Sequence, residues 1–265
     1  MHHAHRGLSL VGLLLTLVCI VVLLSITLPA IRTATTGMSG SGGQSTASAW
    51  AAADQMNLYA LGQSMLAGGL GSGLDATWPT PSSTSGRGDL TQNTTANLYS
   101  MMIMDQRVQP SHLVTRGDRG MVEVDGDYDF TVYDPRGGVY WDPSFTADLV
   151  RGSNASWAHM PLSGARFDNH WRSSMSGSFP VFGSRGPRDG IPSINSVTCP
   201  NGAWTGAVWF GDGRVEPLQS IGGWTGRING GEDNLFREDD LQRGGDAVLG
   251  FTRQIDENGV TLQWD

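Results

Sequence analysis

The chain contains no lysine; all 17 of its basic residues are arginine. That absence removes a Walker-type phosphate loop, a Schiff base and a lysine general base together. Codon bias in a GC-rich genome accounts for it more simply than any functional demand. Cysteine is nearly as scarce, with Cys19 inside an apolar N-terminal run and Cys199 in the C-terminal third. A thiol in a membrane cannot reach one in a water-exposed domain, so no intramolecular disulfide is expected and the cysteines leave the compartment undecided. There is also no His-Glu-x-x-His, no Cys/His cluster and no Gly-x-Ser-x-Gly elbow. Glycine-rich 68–73 fails the Gly-x-Gly-x-x-Gly spacing and follows a helical pattern, which excludes a dinucleotide fingerprint. His112, His159 and His170 are scattered. With no constellation that meets the requirements of an active site, the expectation is a protein that is not an enzyme. Basic runs are missing too, and the net charge of −8 repels nucleic acid, which is excluded as a partner.

What is present begins with the N-terminus. Residues 8–31 carry no charge, and Arg6 and Arg32 bracket them. At about 1.5 Å per residue the run makes a helix of about 36 Å, enough to cross a bilayer core. One arginine at each end leaves the positive-inside rule with little to decide. A cleaved secretory signal is the competing reading, but its apolar core is shorter, about 7–15 residues, and ends in an Ala-x-Ala type site that is not found here. The length of 265 residues leaves room for this segment plus one ordinary domain, and 37 glycines point to a turn-rich one.

The segment Arg6-Gly7-Leu8-Ser9-Leu10-Val11 resembles the prepilin peptidase site of type IV pilins and type II secretion pseudopilins. In that family a short basic leader ends in glycine and an apolar residue opens the mature chain. Counted from Leu8, Pro29 is the twenty-second residue, where the family carries a helix-kinking proline; proline kinks a helix because it lacks the N–H and clashes with the preceding turn. The resemblance implies cleavage between Gly7 and Leu8, N-methylation of Leu8, and a single-pass anchor in the bacterial inner membrane. The N-terminus would be cytoplasmic and the head periplasmic or extracellular. The implied partners are the membrane, prepilin peptidase and other pilin or pseudopilin subunits. The chain departs from the family at the fifth mature residue, Gly12, where glutamate is usual and is thought to pair with a neighbour's N-terminal ammonium. Some minor pseudopilins lack it as well. The departure weakens a filament role and leaves the anchor intact. The implied function is therefore a structural or assembly subunit of a pilus or secretion-like filament, the alternative being an anchored extracytoplasmic binding protein.

Beyond the leader, 1–7, and the membrane segment, 8–31, the pattern predicts a stalk over 32–74 and a β-rich head over 75–265. Thr/Gly/Ser-rich 33–45 should interrupt the stalk helix, which resumes over 47–67 with Trp50, Leu58, Leu61 and Met65 along one face. Residues 78–88 read as a Pro/Ser/Gly linker and 97–104 as a short helix. Strands are predicted at 121–124, 127–133, 139–141, 179–182, 207–210 and 214–218, with a closing hairpin from 250–255 and 260–264. The implied fold class is α+β: a long N-terminal helix, transmembrane plus stalk, packed on a mainly antiparallel sheet.

A second resemblance covers 201–215. Asp212-Gly213 stands at the spacing of the His, nine residues, Asp-Gly signature of one large bacterial family of pilin-like proteins, although Gly202 replaces the histidine. Residues 56–66 and 78–81 resemble that family's Asn-Leu helix and aromatic-Pro-Pro turn, and 97–110 and 179–187 have weaker counterparts. Read from the residues alone, Asp-Gly between two strand-like runs is a hairpin signal, since glycine takes the positive φ the turn needs. A ligand-binding use of Asp212 is the alternative.

No cofactor is called for; calcium is the one ion the acidic rows could hold. Asp125, Asp127 and Asp129, with Glu123, would share one face of an uninterrupted strand, but Asp125-Gly126 is itself a turn signal and Phe130 stands where an EF-hand needs glycine. Asp233, Asp239 and Asp240 form the second candidate set. A solvated acidic face is the simpler reading of both. Trp141, Trp157, Trp171, Trp204, Trp209, Trp224 and Trp264 could line a glycan-binding surface, though packing is their commoner fate.

Overall fold

The computed structural model describes residues 42–70, 77–116, 118, 122–172, 177, 179–199, 201–225, 232–239 and 246–265. Gly7, Leu8, Gly12 and Pro29, on which the expected processing site and helix kink fall, lie outside these, as does the apolar run 8–31. Among the described residues no helix is long and apolar enough to cross a membrane. The chain divides into two compact units, Met1–Ala49 and Trp50–Asp265. Apart from the start of the first helix, every described element belongs to the second unit.

Helix α1 (Gly42–Leu70) opens inside the stretch predicted to interrupt it and runs on without a break. Glycine and β-branched residues cost roughly 1 kcal/mol or less each in a helix, and extending an established helix is cheap. Its later turns explain the stability. Leu58, Leu61 and Met65 are fully buried at helical spacing, while Met56 and Tyr59 face solvent. Gly62 lies on the buried stripe, and a Cβ there would overlap the Trp209 indole. The absence of a side chain is what lets the helix lie directly on the sheet.

Residues 78–88 are not a linker. Trp78 is 1% exposed, and Thr80 opens α2 (Pro81–Thr84) with a reciprocal capping box to Ser83. The Ser82 N–H donates to Asn93 Oδ1 at 2.9 Å. Hydroxyl-rich composition reads as loop, but here the hydroxyls satisfy one another, and Trp78, Thr80, Pro81, Ser82 and Ser85 are buried. Helix α3 (Thr95–Met104) comes next, capped by Thr94, with Leu98 and residues 99–103 all buried.

The predicted strand at 127–133 is instead a 3-10 turn, Phe130–Val132. Asp129 Oδ1 accepts from the N–H and hydroxyl of Thr131 at 2.8 and 2.6 Å, and this local capping replaces the strand ladder. Val122 makes only an isolated bridge, to Ser153, and Val139 one to Asp134. Two-residue strands β1 (Ala147–Asp148) and β2 (Gly152–Ser153) pair nearby.

The central sheet is four-stranded and antiparallel, in the order β3 (Trp157–His159), β4 (Pro180–Ser184), β5 (Gly206–Phe210), β6 (Val215–Leu218). Helix α4 (Ala165–His170) lies in the connection between β3 and β4. Two further hairpins, β7 (Gly222–Thr225) with β8 (Glu232–Asn234) and β9 (Phe251–Asp256) with β10 (Gly259–Gln263), pair separately. The described residues are thus α+β with antiparallel sheets, though in four sheets where the sequence pattern predicts a single one. β4, β5, β6, β9 and β10 lie at the predicted places; β1, β2, β3, β7, β8 and α4 have no counterpart in the sequence pattern.

The core is one apolar cluster that joins α1, α3 and the central sheet. At its middle Trp78 meets Trp171 edge-on with centroids 5.3 Å apart and Trp209 at 5.8 Å. Phe182 packs against both Trp171 and Trp209.

Candidate functional site

Asp212 and Gly213 occupy the loop between β5 and β6. Phe210 N–H donates to Arg214 O and Gly213 N–H to Phe210 O, which leaves a three-residue loop with Gly213 at φ 89°. A three-residue hairpin loop of this kind puts its last residue in the left-handed region, which favours glycine. Asp212 Oδ1 accepts from the Arg214 N–H at 3.2 Å and its Oδ2 from Arg214 Nη1 at 2.6 Å. Arg214 also donates from Nη1 to Gly177 O at 2.6 Å and from Nε to Glu216 at 2.8 Å, and its guanidinium lies 4.1 Å over the Phe210 ring. Partial burial pushes the Asp212 carboxyl up, but the hydrogen bonds and charge of Arg214 outweigh it and hold the group below its ordinary value. The signature residues therefore form a clasp: the loop aspartate orients an arginine that ties the hairpin to Gly177.

The first acidic row does not converge. Asp125 Oδ1 accepts from the Asp127 N–H at 3.2 Å, whereas Asp129 caps the turn after it. The Asp125 and Asp129 carboxylates each serve their own loop.

The second row is partly assembled. Asp233 and Asp239 come together with Asp246, one carboxylate oxygen of each within 4.8 Å of the others; Asp240 lies outside the described residues. Asp233 is buried, with Oδ1 accepting from the Asn234 N–H at 2.8 Å and Oδ2 from the Ala247 N–H at 3.1 Å. Asp246 is fully buried, and its Oδ2 accepts from the Asp239 N–H at 2.9 Å. The cationic partner is Arg166 of α4, 1% exposed and 4.7 Å over the Phe179 ring. Burial pulls its pKa down to about 10 against the opposing charges of Asp246 and Asp233. A hard cation needs about six to eight oxygens. Here two of the three carboxylates accept from backbone N–H groups and face a guanidinium, an arrangement that ties β8 to the segment entering β9. Sequence reasoning missed Arg166 and Asp246, because nothing in local spacing links residues so far apart in the chain.

Two more buried groups have structural roles. His159 is fully buried; its Nδ1 donates to Met160 O at 2.7 Å and its Nε2 accepts from the Thr95 hydroxyl at 2.8 Å. Burial lowers its pKa to about 4, so the ring is neutral. Cys199 is buried and free, with Thr198 Oγ1 3.9 Å from its sulfur. Beside it the Asp265 carboxylate accepts from Thr198 N at 2.7 Å, and Arg185 lies between Asp265 and Asp118, ion-paired to Asp118.

No family model matches the chain, and neither does any curated protein or solved structure.

Proposed function

We propose that this chain is a pilin-like structural or assembly protein of the bacterial envelope. Residues 8–31 anchor it in the inner membrane as a single pass, with the N-terminus cytoplasmic and the folded unit outside. The observation that carries the reading is the junction Gly7-Leu8, followed by an uncharged run and Pro29 as the twenty-second mature residue. The arrangement of charge in the folded unit supports a scaffold over an enzyme. Arg214, Arg185 and the Asp233–Asp246 group are bound to the protein's own backbone and carboxylates. A general acid or base must instead stand within reach of a substrate with its pKa near the working pH. The His159 imidazole is sealed in the core and neutral.

Prepilin peptidase and neighbouring pilin-like subunits are the partners of this reading. Gly12 favours a second reading, an anchored binding protein, because the position lacks the carboxylate that would meet a neighbour's ammonium in the membrane. Mass spectrometry of the mature N-terminus tests the class. A chain that begins at N-methylated Leu8 is expected; an intact Met1, or a start beyond Pro29, refutes it. Crosslinking between membrane segments in the native cell then separates the two readings, since a filament subunit traps dimers and a lone anchored protein only monomers.

A further inference from the structure

A cleft of about 300 Å³ opens between the loop after α2 and the turn before Tyr140. This is the lower end of the range of small-molecule sites, roughly 300–1,000 Å³. Arg87, Asp89, Gln92, Asn97, Tyr140 and Trp141 line it. Its chemistry is mixed: one cation, one anion, two amides and two aromatic rings.

The loop that carries Arg87 is shaped by glycine on both sides. Gly86 has φ 66° and Gly88 φ 63°, and a Cβ on either would meet nothing within 4 Å. Backbone conformation, not crowding, is what favours glycine at both positions. The Arg87 guanidinium lies against Gly138, which has φ 82° and where a Cβ would come within 2.8 Å of Nη2. Three left-handed glycines thus hold one arginine across the cleft. Among the described residues no hydrogen bond or ion pair engages its guanidinium.

The rest of the wall is held in place from behind. Asp89 Oδ1 accepts from the N–H and hydroxyl of Thr91 at 3.0 and 2.6 Å, and these bonds hold its carboxyl below the usual value, so it is ionised. Trp141 Nε1 donates to Asn97 Oδ1 at 3.0 Å, and Asn97 Nδ2 donates to Gln92 O at 2.8 Å. The Tyr140 ring, partly exposed, lies beside Trp141 with centroids 6.0 Å apart. This side of the cleft, Asp89, Asn97 and Trp141, is held by the protein's own hydrogen bonds, which lowers the ordering cost of binding there.

We propose that this cleft binds a neutral saccharide. A pyranose offers an apolar C–H face to Tyr140, and its hydroxyls accept from Arg87 and donate to Asp89 within one sugar unit. A phosphate or carboxylate would satisfy Arg87 but meet the charge of Asp89 and a net charge of −8. A purely apolar ligand would bury both ions without partners. The proposal does not depend on how the N-terminus is processed, so mass spectrometry of the mature chain and a sugar titration fail separately.

The test is isothermal titration calorimetry of the full chain in a zwitterionic detergent; alkyl maltosides are avoided because their head group is itself a neutral disaccharide. The probes are maltotriose, cellotriose and tri-N-acetylchitotriose, with glucose 6-phosphate and a galacturonic acid trimer as anionic controls. Saturable binding of at least one neutral trimer is expected, with binding weakened about tenfold or more in both Arg87→Ala and Tyr140→Ala at unchanged melting temperature. Gly138→Val, should it fold, is expected to weaken binding in the same way. Binding of the anionic probes only, binding of a neutral trimer that neither Arg87→Ala nor Tyr140→Ala weakens, or binding of no probe would each overturn the proposal.

Discussion

Gly62 lies mid-helix, where alanine should ordinarily be preferred by about 1 kcal/mol because it lowers the entropic cost of ordering the backbone. Here a Cβ would overlap Cε2 and Nε1 of Trp209, a fully buried ring wedged among Trp78, Phe182 and α1. A new methyl in a filled core costs about 1–3 kcal/mol, and where a ring with neighbours on several sides cannot swing away the upper part of that range, about 2–3 kcal/mol, applies. After subtraction of the propensity gain, Gly62→Ala should destabilise by roughly 1–2 kcal/mol. For a unit of this size that lowers the melting temperature by about 2–8 °C. Gly68→Ala is the control. Its Cβ would meet the tip of Arg107, whose side chain is 26% exposed and can rotate away at the expense of a surface pair with Asp105. That variant should melt unchanged or higher. Thermal unfolding of the full chain in detergent, followed by far-ultraviolet circular dichroism, measures both. Should Gly62→Ala melt at or above the parent temperature, the close approach of α1 to the sheet is wrong.

His159 gives a pH dependence of known sign. Its folded pKa is about 4 against an ordinary 6.5, so the unfolded chain binds the proton first. Stability from this group is complete above pH 6.5 and falls as pH drops toward 4, by up to about 3 kcal/mol; urea titrations at stepped pH should show that slope, and His159→Gln should flatten it. Arg185→Ala leaves the buried Asp118 carboxylate unpaired and Asp265 without its cationic neighbour, and should cost about 3–5 kcal/mol in urea unfolding. Arg151→Ala breaks only an exposed 3.9 Å pair and should cost under about 1 kcal/mol. Calcium at constant ionic strength should leave the melting temperature unchanged, because Arg166 already balances Asp233 and Asp246; a rise that Asp239→Ala abolishes would restore a metal site there.

The elements legible in the sequence were those defined by local chemistry. Asp212-Gly213 and Asn258-Gly259 each close a hairpin with the glycine at positive φ, and both strands of each hairpin lie where alternation and turn residues put them. The stripe Leu58, Leu61, Met65 likewise needed only helical period. Elements defined by distant partners were not legible. β3 is three residues long, and its His159 owes its neutrality to burial beside Thr95 of another element. Residues 80–82 and 85 are polar or turn-forming in composition yet buried, since their hydroxyls bond to each other and the Ser82 N–H to Asn93. Asp129 reads as one of a row of carboxylates, but its bond to Thr131 turns the chain before a strand can form. At the acidic group the sequence nominated two of the three aspartates that meet and had no means of finding Arg166.

The two borders of the central sheet bear on how such heads could associate. On one side β6 carries Glu216 and Pro217 in adjacent positions, a charge and a residue with no N–H to donate. On the other, β3 is only three residues long, and His159 already exchanges backbone bonds with Gly250 at 3.1 and 3.0 Å. A growing sheet needs a row of unpaired backbone groups, and neither border offers a clean one. Copies brought close together would therefore resist fusing strand to strand through the central sheet. Contact made at the borders of this sheet would rest on side chains and loops, where it can be made and released without unravelling the fold.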